Sequence, residues 1–115
     1  MQPLFPDYDV MLAVMGMARH KDWDRESRSF LAVNRHCLVC GRTESLQCHH
    51  VYPFHRFPEL EMVKLHWRPL CTGGPLNCHY LAGHAGRSWS HYSPNIALAV
   101  EQVRSMARLL KMGSN

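Results

Sequence analysis

A chain of 115 residues has room for one domain and buries only about 65% of its unfolded surface, which leaves a small core. An apolar fraction of 46% excludes a disordered chain, and a net charge of +4 is compatible with a polyanionic partner without requiring one. The anomaly is nine histidines and five cysteines: seven of the histidines fall between His49 and His91, and every cysteine between Cys37 and Cys78.

The segment Met1 to Tyr8, with Pro3 and Pro6, is expected to be an extended arm. Asp7 or Asp9 is placed to cap a helix over Val10–His20, whose nearly all-apolar stretch from Val10 to Ala18 predicts a buried core helix. That run falls far short of the ~20 residues that cross a bilayer. No basic segment with a small-residue cleavage site stands at the N-terminus, so the expected location is cytoplasmic and off the membrane. Lys21 to Arg28 carries both signs of charge and reads as a solvated turn, with a short helix over Ser27–Asn34 after it. Residues 9–34 thus form an N-terminal helical part of a single domain, 1–115.

From His36 onward the pattern changes. Cys37-Leu38-Val39-Cys40-Gly41-Arg42 has the form of a metal knuckle, in which a tight turn brings two thiolates together. Leu46 to Tyr52 reads as a strand that stops at Pro53, and Phe54 to Lys64 as a loop. Trp67 to Cys71 runs into the turn signal Thr72-Gly73-Gly74-Pro75. A helix is expected to start near Asn77 or Cys78 and to carry His79. The closing helix, residues 93–112, has Ser93-Pro94 as an N-cap and first-turn pair. Within it Ile96, Val100, Val103, Ala107 and Leu110 recur at helical spacing opposite Glu101, Arg104, Arg108 and Lys111.

An odd cysteine count with Cys-x-x-Cys spacing beside many histidines favours a reduced compartment and metal binding over disulfides. Cys37 and Cys40 with Cys71 and Cys78 supply two pairs of thiolates, a common tetrahedral zinc arrangement. The second pair is loosely spaced, and Gly73, Gly74 and Pro75 allow its longer loop to fold out. Cys48, inside the strand, reads as a packed side chain. His49 and His50 end that strand. One neutral imidazole can bind a divalent metal while the other takes a proton from water. A regular strand points neighbours to opposite faces, so this division of labour is expected to need an irregular strand end.

The stretch from about His36 to His84 resembles the HNH endonucleases, the treble-clef or His-Me finger nucleases with a ββα-metal core. The resemblance rests on Cys-Leu-Val-Cys-Gly-Arg (37–42), Leu-Gln-Cys-His-His-Val-Tyr-Pro-Phe-His (46–55), Leu-His-Trp-Arg-Pro-Leu-Cys (65–71) and Asn-Cys-His (77–79). Leu-Ala-Gly-His-Ala-Gly (81–86), Trp89 and Ser93-Pro94-Asn95 look like a small phage or bacterial branch. The resemblance implies an α+β fold in which a zinc-stabilised ββα-metal core, residues 36–86, is flanked by N- and C-terminal helices. It implies His49 and His79 as ligands of a catalytic Mg2+ or Mn2+ ion and His50 as the general base against a phosphodiester. Zn2+ on Cys37, Cys40, Cys71 and Cys78 would serve as scaffold.

His66 departs from the family, which has asparagine there to brace the loop and orient the base. A neutral histidine offers one donor and one acceptor and fits part of that task; the other readings are a weakened domain or an engineered substitution. His84 and His55 are candidate accessory residues. Arg42, Arg56, Arg68 and Arg87, with Arg35, are candidate phosphate contacts. The implied partner is double-stranded DNA, with a homodimer or a second protein supplying specificity. The alternative is a noncatalytic zinc module that contacts nucleic acid or a partner protein.

Overall fold

The computed structural model describes residues 7–73 and 77–113. The expected N-terminal arm, apart from its last two residues, and the Gly74-Pro75 turn lie outside them. The architecture is α+β: helices α1 (Tyr8–Val14), α2 (Trp23–Val33) and α3 (Ile96–Gly113), a π-helical turn (His79–Gly83), and strands β1 (Leu46–His50) and β2 (Trp67–Cys71). Among the described residues, no helix is long and apolar enough to cross a membrane.

Helix α1 begins where Asp7 accepts the Val10 amide at 2.8 Å, satisfying one of the free donors of the first turn. It ends six residues short of the expected His20, because Gly16 takes a positive φ of 73°. The Gly16 and Met17 amides then close on the Ala13 and Leu12 carbonyls, a glycine-terminated helix end that turns the chain back. Nor is the apolar run buried all round: Tyr8, Met11 and Leu12 are in the core, while Val14 and Met15 face solvent.

Helix α2 starts four residues earlier than expected. Trp23, in the segment read as a solvated turn, is buried, and the alternating charges around it occupy the outer face of a helix. Cys48 is buried against Trp23 and Trp67, as its packed role required, and burial pushes its thiol up to about 12.

The sheet has two antiparallel strands, registered from Leu46 opposite Cys71 to His50 opposite Trp67. Pro69, opposite Cys48, has no amide hydrogen to give. Its carbonyl points outward and accepts the Leu38 amide at 2.9 Å, so proline sits at the edge position it tolerates and ties the cysteine knuckle to β2. Within the knuckle, Gly41 at φ 77° lets its amide reach the Cys37 carbonyl while the Cys37 amide reaches Arg42.

The closing helix begins at Ile96 rather than at the Ser93-Pro94 pair. Asn95 caps it, accepting the Leu98 amide at 3.2 Å. Ser93 is engaged elsewhere: its hydroxyl donates to the Ala82 carbonyl at 2.6 Å and its amide to Gly83, satisfying carbonyls at the end of the π turn. Ile96, Val100 and Val103 are buried with Leu70, Ala82 and the knuckle, on the face the sequence assigned them. Arg104, assigned to the opposite face, reaches back to donate to the Leu38 and Val39 carbonyls at 2.6 and 2.9 Å.

Arg104→Ala leaves those knuckle carbonyls without their donor and is expected to cost about 1–3 kcal/mol, read as a lower urea midpoint. Arg108→Ala, which gives up an exposed bond to Ser105, is expected to leave the midpoint unchanged.

Candidate metal centres and the cavity between them

The two arms of the knuckle bring Cys37, Cys40, Cys71 and Cys78 together, with all four sulfurs within 4.8 Å of one another. Cys40 and Cys71 lie 3.7 Å apart. The Cys78 thiol donates to Cys37, which draws the Cys37 pKa down to about 4 and raises that of Cys78. Four sulfurs so close share protons reluctantly and are well suited to a cation: the cluster could hold a metal such as zinc.

A second cluster joins His49 on β1 to His79 and His84 at the two ends of the π turn, again with ligand nitrogens within 4.8 Å. All three rings are buried. Five residues separate His79 from His84, a spacing that an α-helix would spread apart and that an i to i+5 turn brings to one face. Each ring on the turn is anchored through Nδ1. His84 donates to the His91 carbonyl at 2.7 Å and His79 to the Gln47 amide oxygen at 2.8 Å. Both Nε2 atoms therefore carry lone pairs, and they face each other at 3.3 Å. Neither ring nitrogen of His49 has a hydrogen-bond partner among the described residues, although both are buried.

Burial is the first cause that keeps these imidazoles neutral. It holds His49 and His79 well below the usual histidine range, with neighbouring imidazoles adding to the effect. His84 is lowered to about 4, its bond to the His91 carbonyl partly opposing burial. Neutral and converging, with His79 and His84 anchored through the far nitrogen and His49 unpartnered at both, the three rings have the chemistry of metal ligands.

His50 is registered opposite Trp67 in regular pairing, so the irregular strand end expected from sequence is absent. The two adjacent histidines point to opposite faces and still line one cavity of about 200 Å³. The cavity is lined by every residue of β1, Leu46 to His50, and by none of β2. His50 stacks on Trp23 with ring centroids 4.5 Å apart. Its Nε2 lies 2.7 Å from the Glu61 carbonyl, which can only accept, so Nε2 holds the proton and Nδ1 is left with its lone pair. Burial lowers the His50 pKa to about 4.

His66 is not at the cavity. Its ring lies edge-on to Tyr52 at 4.9 Å, and its carbonyl accepts the Val51 amide. The orienting of His50 expected of this position falls instead to the Glu61 carbonyl, which also accepts the Trp67 indole at 2.9 Å. His55 stands behind the cavity wall, bonded to the Tyr8 hydroxyl at 2.7 Å and the Ser90 carbonyl at 3.2 Å; Tyr8 in turn stacks on His84 at 5.2 Å.

The arginines are also rearranged. Arg42 pairs with Glu44 at 3.7 Å, Arg56 lies over Tyr92, and Arg68 donates to the Leu65 and Trp67 carbonyls. Arg35 and Arg87 are exposed. None of the five is among the residues lining the cavity; the arginine that lines it is Arg19. Trp23, Glu61 and Arg19 were missed because each belongs to a segment read as helix end, charged turn or loop. Trp23 carried the one usable signal, a large aromatic inside a charged run. Comparison with family models, curated proteins and solved structures finds no match for this chain.

Gly83 touches this centre through its missing side chain, since a Cβ there would lie 2.8 Å from the His49 ring. Gly83→Ala is expected to displace His49 and to weaken any metal binding at the histidines while leaving the capacity of the cysteine cluster for zinc unchanged. Metal titration by calorimetry together with elemental analysis reads the two sites separately.

Proposed function

We propose that the chain is a metal-dependent DNA endonuclease or nickase of HNH type, with His50 as general base and a divalent ion on His49, His79 and His84. The observation that carries this reading is the meeting of three unpartnered imidazole lone pairs with a fourth, separately anchored imidazole in one cavity. The arrangement of β1, β2 and the π turn around a cysteine cluster is compatible with a zinc-braced ββα-metal core. His84 joins the ligand set on its position in the cluster, while His66 drops out of the catalytic set because its ring is not at the cavity.

The donor set also bears on which ion is used. Three imidazoles and no carboxylate suit a transition ion better than Mg2+, which prefers oxygen ligands. Of the two ions expected from the sequence, Mn2+ is the better fit. When bound, the ion would supply Lewis-acid stabilisation of charge at the phosphate and at the leaving 3′-oxygen.

The chain's own residues do the rest. The Glu61 carbonyl fixes the His50 tautomer with Nδ1 free to accept a proton from water. Trp23, stacked on the ring, holds its orientation and keeps solvent from that face. Gln47 and the His91 carbonyl turn the Nε2 lone pairs of His79 and His84 inward. The exposed arginines along the outside, Arg35, Arg56 and Arg87, are available to track a duplex backbone.

Plasmid cleavage with added Mn2+ tests the assignment. The chain is expected to convert supercoiled plasmid, and His50→Ala to lower the rate by about a hundredfold or more. His66→Asn is expected to cut at close to the unaltered rate, because His50 is oriented by a main-chain carbonyl. A chain inert with every divalent ion would leave the noncatalytic zinc-module reading. Equal cutting by the chain and His50→Ala would remove His50 from the base role.

A further inference from the structure

Arg19 has an unusual setting for a charged side chain. Its guanidinium carbon lies 4.6 Å from the centre of the Trp23 ring, 5.2 Å from Phe54 and 5.4 Å from Tyr8. Three aromatic faces thus cage the cation and take the place of water around it. Its Nε and Nη1 are buried and have no hydrogen-bond partner among the described residues. The Glu61 carboxylate lies 3.9 Å from Nη1 but is already bonded to the His20 amide through both oxygens. The outer nitrogen, Nη2, is held by Asp9 at 3.1 Å, and that carboxylate is 66% exposed. Arg19 and Asp9 line the same cavity as His49, His50, His79 and His84.

We propose that Arg19 is the receptor for a substrate phosphate in this cavity, and that Asp9 is its counterion until a phosphodiester displaces it. The Nη2 edge that Asp9 occupies is the one open to a ligand, and a guanidinium binds a phosphate oxygen there more strongly because water is largely excluded around it. The aromatic cage fixes its direction, so little side-chain freedom is lost on binding. Asp9 is suited to leave: its carboxylate is mostly solvated, and an exposed ion pair is weak. The carboxylate covers the accessible edge of the guanidinium, acting as a self-inhibitory contact that a more strongly bound phosphate removes. This inference rests on the phosphodiester reading of the site.

The test uses the zinc-loaded protein and a short DNA duplex, with affinity measured across a salt series without added catalytic ion and KM and kcat measured with Mn2+. Arg19→Gln is expected to weaken binding about tenfold or more and to make the salt dependence shallower by about 0.9 in the log–log slope. Asp9→Asn is expected to tighten binding and lower KM about two- to fivefold. A folded Arg19→Gln protein with unaltered affinity and slope would overturn the receptor assignment. Unchanged or weaker binding by Asp9→Asn would overturn the displacement. Should Arg19→Gln fail to fold, Asp9→Asn decides alone. Duplex binding with the expected Arg19 and Asp9 effects but no cleavage by any ion would sink the nuclease reading and leave the receptor standing. Cleavage with Arg19→Gln indistinguishable in KM and slope would sink the receptor alone.

Discussion

Two imidazole nitrogens that face each other at 3.3 Å with their lone pairs inward repel unless something positive lies between them. In this protein the outward nitrogens of both rings are committed to oxygen acceptors, so neither ring can relieve the repulsion by changing tautomer without losing a part-buried hydrogen bond. A third imidazole with no other partner among the described residues completes the same demand. Burial closes the remaining escape, protonation, by disfavouring the charged form. The cavity, the π turn and the packing of Tyr8 and Trp89 around His84 all serve to keep this unfavourable set of lone pairs together.

The cysteine cluster is coupled to that site through the backbone. Cys78 is a member of one cluster and His79, the next residue, a member of the other. β1 and β2 are joined by their register, β2 ends in Cys71, and β1 carries His49. A cation on the four sulfurs would thus hold the start of the π turn at a fixed distance from the strand that faces it. For so small a chain that constraint has weight, since structural zinc supplies on the order of 10 kcal/mol or more to folding in small domains.

Much of this was legible in the sequence, and the failures follow a pattern. The two cysteine pairs, the strand beginning at Leu46 and the buried face of α3 came from spacing, which survives folding because it reflects local geometry. The extent of α1 did not, since one glycine at positive φ outweighed a continuous apolar run. Ser93 looked like a cap and was claimed by a tertiary hydrogen bond, leaving the cap to Asn95. His66 and Arg19 mark the deeper limit. Whether a side chain reaches a cavity depends on how distant segments pack, and the basic residues nearest the site in sequence were not those nearest it in space. Glu61 was hidden for another reason: what it gives His50 is a main-chain oxygen, which no residue type advertises.

The π turn carries a consequence for how such a site can arise and be found. An α-helical turn places residues four apart on one face; widening it by one residue does the same for His79 and His84, five apart. A single inserted codon in a helix would normally rotate every later side chain away from its partners. Here the widened turn keeps both imidazoles on one face, and the Ser93 amide closes it off at the Gly83 carbonyl. A search for two histidines at α-helical spacing, three or four residues apart, would pass over this pair, although the wider turn brings them as close as an α-helix would.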